Sequence, residues 1–395
     1  MQNKHFYIES ETCQASKYRQ NVCGDSCESR KLKDEDRFIT VLSDGLGSGV
    51  KANVLSTMTT GMALQFTARN NPLKHTSEFI MRTLPVDTQR KISYSTFSII
   101  DINCFGEAHL VEFDNPSVLI YRNGDFINSD HTLQKITRPD AIDATVKNSH
   151  LKLEKEDRII MVSDGITQSG MGTRVNPFGW GEDGLKDFIR TSVDDKPAIS
   201  ALELAKKILE RAKNNDANEL KDDATCQVIY CREPRKLVLA SGPPYYKNYD
   251  SVLAERIDTF EGLKVICGGT TSKIISRELN RPIDININQI NLDLPPKANM
   301  KGIDLITEGI LTLGKVSSIL ESVKFNMVEG SSPAEDMVRL LLKSDSILIL
   351  AGTQINIAHQ DPNLPVELEI RRNVIKKIAG ILESKFLKTV TIEYL

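Results

Sequence analysis

The sequence has no apolar run that could cross a bilayer, since no window reaches the ~18 uninterrupted apolar residues of a membrane helix. Its first residues also lack the apolar core of a signal peptide. We therefore expect a cytoplasmic protein without membrane contact. The net charge is only −3, from 50 basic and 53 acidic residues, so no global electrostatic argument favours nucleic acid as a partner.

The cysteine and histidine content excludes two further classes. Seven cysteines are an odd number spread over 395 residues, which argues for reduced thiols rather than a disulfide framework. Cys13, Cys23 and Cys27 lie close together in the sequence, but their spacing is poor for metal binding and we expect structural roles for them. The six histidines show no ligand spacing such as His-x3-His, which argues against zinc.

Length and periodicity predict two domains. Residues 1–234 contain short strands in consecutive order, with Asn123-Gly124 as a strong hairpin signal. These features predict an α+β domain in which an antiparallel meander is covered by helices. Residues 235–395 alternate strands with helices, which predicts a three-layer α/β domain with at least some parallel pairing.

The stretch FITVLSDGLGSGV joins a predicted strand at 37–43 to a predicted helix through three glycines and Asp44. From Val50 onward, apolar residues recur at helical spacing through Val54, Met58 and beyond. This pattern predicts a helix of about four turns or more directly behind the aspartate.

Aspartates stand where the predicted strands of the first domain begin or end. Asp44 and Asp164 each follow a strand, Asp222 and Asp223 precede one, and Asp25 precedes the first by a short excursion. Antiparallel neighbours can bring such ends to one rim, where like charges at ~4 Å would cost several kcal/mol without cations. Oxygen ligands favour Mg²⁺ or Mn²⁺, and two such ions about 3.5–4 Å apart can share a water that attacks phosphorus.

A single Asp-Gly pair is typical of a turn, so the argument depends on the joint order of the motifs. CGDSCES, VLSDGLGSG, IIMVSDGIT and DDATCQVIYC follow one another within residues 20–232. In this order they resemble the PPM superfamily of metal-dependent serine/threonine phosphatases, and within it the SpoIIE type. The resemblance implies a PPM-type antiparallel β-sandwich flanked by helices, in α-β-β-α layers.

The resemblance also implies roles for individual residues. Asp44 would bridge two Mn²⁺ or Mg²⁺ ions, Asp25 and the carbonyl of Gly45 would complete one metal site, and Asp164 and Asp222 would complete the other. In the family, a water between the two ions attacks phosphoserine or phosphothreonine, so no covalent phosphoenzyme is expected. No phosphate-binding arginine and no general-acid histidine is identifiable.

Two features of the first domain keep alternatives open. Asp223 is the second choice in its aspartate pair, as a local support or as a ligand of a third ion. The loop and helix at residues 165–189 resemble the segment that follows the third motif in the SpoIIE type. There, Thr167, Arg174 or Trp180 could meet a protein substrate, and a loop without a specific role is the alternative.

The partners follow from the resemblance alone. SpoIIE-type phosphatases usually carry a sensor module, so residues 235–395 are expected to bind a ligand or partner and to regulate the metal site, with a homodimer as another means of control. The family suggests a phosphorylated anti-sigma-factor antagonist or a similar phosphoprotein as substrate in bacterial signalling. A catalytically idle scaffold and a hydrolase of small phosphorylated metabolites are the alternatives.

The second domain contains one stretch typical of anion binding. VICGGTTSKIISRELN (265–280) places two glycines and several hydroxyls at the start of a predicted helix. Free N–H groups and the helix dipole could receive an anion there, at Gly268, Gly269, Thr270, Thr271 and Ser272. The stretch DLITEGILTLG is expected to place Asp304 and Glu308 at the carboxyl end of a neighbouring strand, in the same crevice. Ordinary helix capping is the alternative.

Overall fold

The structure is a computed structural model of the chain, and it describes residues 6–69, 73–83, 95–137, 143–285, 298–323, 330–354 and 365–395. The chain divides into two compact units, Met1–Glu233 and Pro234–Leu395. Each unit has hydrophobic clusters of its own.

Antiparallel strands form the framework of the first unit. Its described strands are β1 (Tyr7–Ala15), β2 (Ser26–Leu32), β3 (Arg37–Ser43), β4 (Phe97–Ile102), β5 (Glu107–Phe113), β6 (Leu119–Arg122), β7 (Asp125–Ile127), β8 (His131–Ile136), β9 (Ala144–Lys152), β10 (Arg158–Val162) and β11 (Ala224–Arg232). Its described helices are α1 (Val50–Ala68), α2 (Leu73–Thr83), α3 (Asp164–Thr167), α4 (Gly181–Asp195) and α5 (Ala201–Asn215).

These strands build two sheets, ordered β2-β3-β4-β5-β9-β8 and β1-β11-β10-β6-β7. Gln227 of β11 joins the facing surfaces, because its side-chain amide makes hydrogen bonds of 2.9 Å with Ser29 of β2 and with Thr40 of β3. On the outer surfaces, α1 and α2 pack against the six-stranded sheet and α4 and α5 against the five-stranded sheet. The predicted α-β-β-α layers are therefore confirmed.

The predicted meander is wrong in one respect. β4 and β5 pair as neighbours, and Asn123-Gly124, with φ of 50° and 90°, forms the turn between β6 and β7 as predicted. However, β6 pairs with β10 in the other sheet, so the chain changes sheets between Phe113 and Leu119. Alternation of apolar residues does not reveal this change, because a strand in either sheet buries one side in the same way.

Strand β1 lies outside the predicted strands. Its sequence YIESETCQA mixes polar and apolar residues and has little of the apolar alternation that marks a strand. Pairing with β11 places β1 in the sheet. Strand β11 is buried along its whole length, and the pairing runs from Tyr7 opposite Arg232 to Ala15 opposite Ala224.

Helix α1 buries its polar side. Val50, Val54 and Met58 have exposed fractions of 67%, 50% and 54%, and they lie on one face at a spacing of four residues. The buried residues are mostly small or hydroxylated: Ala52, Ser56, Thr59, Thr60, Ala63, Leu64 and Thr67. The spacing of the apolar residues thus predicts the helix correctly. However, these residues face solvent, whereas the apolar residues of an ordinary amphipathic helix face the core.

The second unit alternates strands and helices. Its described strands are β12 (Lys236–Ser241), β13 (Leu263–Cys267), β14 (Asp284–Ile285), β15 (Ala298–Met300), β16 (Ile303–Thr307), β17 (Ser346–Ala351) and β18 (Thr389–Tyr394). Its described helices are α6 (Asp250–Asp258), α7 (Gly269–Leu279), α8 (Ile310–Ser322), α9 (Pro333–Lys343) and α10 (Pro365–Ser384).

One sheet, ordered β14-β15-β16-β13-β12-β17-β18, contains all of these strands. The five strands from β16 to β18 in that order are parallel, and the short β14 and β15 are antiparallel. Helices α6 and α7 cover one face, and α8, α9 and α10 cover the other. The predicted three-layer α/β architecture is confirmed.

Candidate metal centre

The strand ends of both sheets in the first unit bring five aspartates to one rim. Asp25 and Asp44 flank the paired ends of β2 and β3, and Asp164, Asp222 and Asp223 flank the paired ends of β10 and β11. Asp44 is subject to the charges of Asp25, Asp164 and Asp222. Asp25 is subject to those of Asp223 and Asp164. The structure therefore brings together the aspartates that the motifs single out.

Two glycines let backbone segments touch at this rim. A Cβ on Gly45 would lie 2.2 Å from the carbonyl oxygen of Ala52, and a Cβ on Gly165 would lie 2.1 Å from the carbonyl oxygen of Asp223. Both distances are far shorter than a van der Waals contact, so neither position has room for a side chain. Only glycine fits after Asp44 and after Asp164, because another backbone segment packs directly against each of these positions.

The other two glycines of the first corner act through backbone conformation. Gly47 and Gly49 have φ of 101° and 73°, in the region that glycine adopts without steric cost. Gly49 is also the N-cap of α1. The corner therefore turns sharply enough for α1 to start within a few residues of Asp44.

Asp25 is held by residues of the opposite sheet. Its side chain is buried, and its Oδ2 accepts a 2.7 Å hydrogen bond from Oγ1 of Thr225 in β11. Burial raises the pKa of Asp25 to about 6, while hydrogen bonds from Thr225 and Ser163 oppose the shift. The sequence assigned no role to Thr225 or Ser163. Their positions, each next to or within two residues of a candidate aspartate, are the signal that could have found them.

Asp44 has a fixed backbone and an unfavourable electrostatic environment. Its carbonyl oxygen accepts hydrogen bonds of 2.9 Å from the N–H of Thr96 and 3.0 Å from Oγ of Ser95. Burial, followed by the negative charges of the other carboxyls, raises the pKa of Asp44 to about 9.

The remaining three aspartates differ in their partners. Burial raises the pKa of both Asp164 and Asp222. Oδ2 of Asp164 accepts a 2.8 Å hydrogen bond from the Gln168 side chain, and Oδ1 of Asp222 accepts one of 2.9 Å from the N–H of Asp223. Oδ1 of Asp223 accepts a 2.9 Å hydrogen bond from the N–H of Lys17. Among the electrostatic partners, the charge of Asp222 acts on Asp44 and the charge of Asp223 acts on Asp25.

The chemistry of this set fits hard divalent cations. Oδ1 of Asp25, Oδ1 of Asp164 and Oδ2 of Asp223 are buried and accept no hydrogen bond from a donor in the described residues. Buried oxygens without a partner are costly, and carboxylate oxygens are the ligands that Mg²⁺ and Mn²⁺ prefer.

The carboxyls are nevertheless not in coordination geometry. Within the described ranges, no three His, Cys, Asp or Glu side chains are arranged so that they could hold a metal ion as they stand. The residues fit metal ions by the chemistry of their oxygen donors.

Helix α1 is tied to the segment that carries Asp25. Nδ2 of Asn53 donates a 2.8 Å hydrogen bond to the carbonyl of Cys23, and Oγ of Ser56 donates one of 2.6 Å to the carbonyl of Gly24. These contacts explain why α1 buries polar residues. Helix α1 also contacts the corner that follows Asp44, since its residue Ala52 packs against Gly45. It therefore touches the backbone beside both Asp25 and Asp44.

The three loop residues proposed for substrate contact differ in exposure. Arg174 is exposed, whereas Thr167 and Trp180 are partly buried. Oγ1 of Thr167 donates a hydrogen bond to the carbonyl of Asp164 at 3.2 Å, and the Trp180 ring packs edge-on against Phe188 with centroids 5.5 Å apart. Of the three, Arg174 is the one whose side chain is open to a partner.

The cysteines are all free thiols. Burial raises the pKa of Cys13, Cys23 and Cys27, and a raised pKa leaves little thiolate for redox chemistry or metal binding. Cys226 and Cys231 are buried residues of β11.

In the second unit, the predicted anion-binding stretch forms the start of α7. Gly268 is the N-cap, with φ of 129°, and the helix begins at Gly269. Oγ1 of Thr271 accepts a 3.0 Å hydrogen bond from the N–H of Gly242, and Oγ of Ser272 donates one of 2.9 Å to the carbonyl of Gly269. Neither hydroxyl caps the helix, so the capping alternative is wrong.

The predicted placement of Asp304 is also wrong. It is the second residue of β16, and its Oδ2 accepts a 2.7 Å hydrogen bond from the N–H of Lys264 near the start of β13. At ~3.3 Å per residue, it lies ~10 Å from the carboxyl end of the strand. β16 runs from Ile303 to Thr307, so Asp304 lies near its start and Thr307 at its end. Glu308 does follow β16 directly, and its carbonyl accepts a hydrogen bond from the Cys267 thiol.

Among the helices that the structure describes, none has the length and apolar character needed to cross a bilayer.

A two-sheet antiparallel sandwich with helices on both outer faces and aspartates at one rim defines the PPM, or protein phosphatase 2C-like, class of fold. The family model for Stage II sporulation protein E (SpoIIE) matches residues 34–232, which is half of the chain. The protein therefore belongs to the SpoIIE family, and the resemblance drawn from the motifs is confirmed. No curated protein matches the chain.

Several solved structures are similar to the chain at low identity. The phosphatase domain with a fragment of the regulatory domain of SpoIIE from Bacillus subtilis is 19% identical, with a TM-score of 0.47, over 57% of this chain and 64% of that one. The RsbU and RsbW domains of a Mycobacterium tuberculosis protein are 15% identical, with a TM-score of 0.45, over 57% of this chain and 60% of that one. RsbX in complex with magnesium is 18% identical, with a TM-score of 0.38, over 58% of this chain and 98% of that one. The chain thus spans less than two thirds of the length of the first two structures.

Gly165→Ala is expected to destabilise the first unit by about 3 kcal/mol, because the added methyl group would overlap the carbonyl oxygen of Asp223. Gly61→Ala is the matched control. No atom lies within 4 Å of its Cβ position inside α1, so this change should stabilise the protein by ~0.5–1 kcal/mol. Denaturant unfolding measures both, and wild-type stability of Gly165→Ala would contradict the steric account.

Asp44→Asn is expected to stabilise the protein in the presence of a chelator at about pH 8. Because the pKa of Asp44 is raised to about 9 in the native state, the unfolded chain loses this proton at lower pH than the native state. The free energy of unfolding should therefore fall as pH rises from about 4 towards 9. The asparagine variant should show a flatter decline of the melting temperature with pH, and exposed Asp187→Asn should not. Parallel pH profiles for wild type and Asp44→Asn would refute the repulsion.

Proposed function

We propose that the protein is a metal-dependent protein serine/threonine phosphatase that acts in bacterial signalling. The observation that carries the proposal is the convergence of the motif aspartates at one rim, with three buried carboxylate oxygens that accept no hydrogen bond from described residues. Membership of the SpoIIE family supports the same activity.

The aspartates divide between two metal sites in this proposal. Asp44 is shared, Asp25 and the carbonyl of Gly45 complete one site, and Asp164 and Asp222 complete the other. The interaction of Asp222 with Asp44 and Asp164 supports this choice within the aspartate pair. Asp223 interacts with the Asp25 side, where its unpartnered Oδ2 suits a third ion or a supporting role.

Two Mn²⁺ or Mg²⁺ ions would supply a nucleophilic water of lowered pKa and positive charge for the phosphoryl oxygens. The chain's own residues position the ligands for this task. Thr225 orients Asp25, Gln168 orients Asp164, and Ser95 with Thr96 fixes the backbone of Asp44. Among the motif residues, none offers an arginine or histidine for phosphate binding or for protonation of the leaving group.

The substrate in this proposal is a phosphoprotein, and a phosphorylated anti-sigma-factor antagonist or a similar protein is the candidate that the family suggests. Exposed Arg174, in the loop that follows the Asp164 corner, offers a positive charge for a protein partner.

Regulation in this proposal acts through α1. The helix holds the backbone around Asp25 through Asn53 and Ser56 and packs against Gly45. A shift of α1 would therefore move Asp25 and Gly45, the ligands of one metal site, and with them the neighbouring shared ligand Asp44. The second unit, through a ligand or partner at the start of α7, or a homodimer would bias this shift, and the exposed stripe of Val50, Val54 and Met58 is available for such contacts.

The activity is tested with purified protein, Mn²⁺ or Mg²⁺, an aryl phosphate and a phosphoserine peptide. Wild type should hydrolyse both, and Asp44→Asn should lower turnover at least about a hundredfold, because it removes the shared ligand. Asp222→Asn should cost more than Asp223→Asn, and exposed Asp187→Asn should cost nothing.

Three results would speak against the proposal. Absence of hydrolysis together with absence of metal binding by calorimetry would identify an idle scaffold. Activity on small phosphorylated metabolites but not on phosphopeptides would identify a metabolite hydrolase. Full turnover by Asp44→Asn would dismiss the assignment of the shared ligand.

The regulatory part is tested by comparing the full chain with a 1–233 truncation, whose boundary follows the first compact unit. Metal affinity and turnover of the two proteins should differ, because the truncation removes the unit that biases α1. Sedimentation of both proteins separates this effect from a change of oligomeric state. Equal affinity and equal turnover would contradict control by the second unit.

A further inference from the structure

The carboxyl ends of β12 and β17 form a topological switch point in the second unit. β12 lies between β13 and β17 and is parallel to both. The chain leaves β12 through α6 on one face of the sheet and leaves β17 through α10 on the opposite face. The helices that follow β12 and β17 thus lie on opposite faces of the sheet, and ligands of open α/β sheets bind outside the carboxyl ends of the strands at such a switch point.

The loops that follow β12 and β17 pack directly against each other at this edge, and one arginine lies against them. A Cβ on Gly352 would lie 2.1 Å from the carbonyl oxygen of Pro243, and a Cβ on Gly242, where φ is 89°, would lie 2.6 Å from Nη1 of Arg371. The guanidinium of Arg371 in α10 thus lies against the loop that follows β12. Burial raises the pKa of the Cys267 thiol at the end of β13 to about 12, and the charge of Arg371 opposes this shift. Arg371 therefore acts at the carboxyl edge of neighbouring strands.

Two helices begin at the same edge. Neither α7 nor α8 has a side-chain cap or an acidic residue in its first turn. A Cβ on Gly309, the N-cap of α8, would lie 3.9 Å from Cα of Gly268, the N-cap of α7, so the two helix starts adjoin. In the first turn of α8, Thr312 is 1% exposed, and its hydroxyl has no hydrogen-bond partner among the described residues. Such helix starts offer N–H groups and a positive dipole end to an anion.

An aromatic cluster follows β12 at this edge. Tyr245, Tyr246 and Tyr249 expose 56%, 62% and 45% of their surfaces, and successive ring centroids are 4.7 and 6.5 Å apart. The N–H of Tyr245 donates a 3.2 Å hydrogen bond to the carbonyl of Leu395, the residue after β18. The cluster therefore presents π faces beside the carboxyl ends of the strands, where a planar ring could stack.

We propose that this switch point binds a mononucleotide. The phosphate is bound by Arg371 and by the N–H groups at the starts of α7 and α8, and the base stacks on the tyrosine cluster. A guanidinium suits this role because it stays charged and binds phosphate through two parallel hydrogen bonds. The exposed carboxylate of Glu308, directly after β16, is the acceptor for the ribose hydroxyls.

The class of ligand follows from what the loops contain. The stretch from Cys267 to Ser272 has neither the lysine of a phosphate-binding P-loop nor the three-glycine spacing of a dinucleotide fingerprint. In the proposed site, Arg371 of α10 supplies the positive charge that the lysine supplies in a P-loop. The adjoining starts of α7 and α8 supply N–H groups for one phosphate group. The site lies wholly in the second unit and does not rest on the proposed phosphatase activity.

The test is calorimetric titration of the full chain with AMP, GMP, adenosine and inorganic phosphate. EDTA is present throughout, so that phosphate groups do not bind through metal ions at the aspartate rim. At least one nucleotide should bind once per chain, at least about tenfold more tightly than adenosine and inorganic phosphate. Absence of binding by both nucleotides would overturn the proposal, as would an affinity for adenosine or phosphate equal to that for the nucleotide.

Variants locate the site. Arg371→Ala should weaken nucleotide binding at least about tenfold, whereas Arg372→Ala, the next residue along α10, which stacks on Tyr394, should not. Gly269→Asp should also abolish binding by placing a negative charge at the start of α7. It should fold normally, because no atom lies within 4 Å of its Cβ position and an acidic residue in the first turn stabilises a helix.

Gly380→Asp is the matched control, since its Cβ position in α10 is equally open. Thermal unfolding of each variant verifies that it is folded. Wild-type nucleotide affinity in both Arg371→Ala and Gly269→Asp would overturn the assignment. Asp44→Asn should keep full nucleotide affinity, so a failed nucleotide site and a failed phosphatase assignment give different results.

Discussion

Repulsion among the carboxyls of Asp25, Asp44, Asp164 and Asp222 is the constraint on which the first unit depends. Burial removes the water that would screen them, and the pKa of Asp44 rises to about 9 as a result. Groups that repel in this way stay together only if the surrounding structure holds them. The hydrogen bond from Thr225 to Asp25 crosses from one sheet to the other, so the sandwich itself resists the separation of its rim.

The same constraint explains the composition of α1. A helix that must hydrogen-bond the backbone beside Asp25 needs small polar residues on its inner side, and Asn53 and Ser56 make those bonds. Its larger apolar residues then lie on the outer side, in the stripe from Val50 to Met58. Close packing of Ala52 against Gly45 completes the arrangement, so the helix contacts the backbone next to two of the four carboxyls.

Much of this site could be predicted from the sequence because its aspartates stand in short, ordered motifs at strand ends. Thr225 and Ser163 were not assigned a role, since their positions beside candidate aspartates do not by themselves reveal a contact between two sheets. Asp304 was placed at the wrong edge of the sheet, because it lies inside β16, near its start, and not at its carboxyl end. Arg371 gave no local signal, because its role depends on the parallel order of strands far apart in the sequence.

The pairing of β1 with β11, which sets Tyr7 opposite Arg232, has a consequence for biosynthesis. The five-stranded sheet cannot gain its edge strand β1 until β11, the last strand of the first unit, has been made. Among the described strands of that unit, β1 and β11 are the farthest apart in the sequence. Pairings between segments so far apart form slowly. In the nascent first unit, β1 thus lacks its partner β11 until then, and the second unit begins to emerge only afterwards.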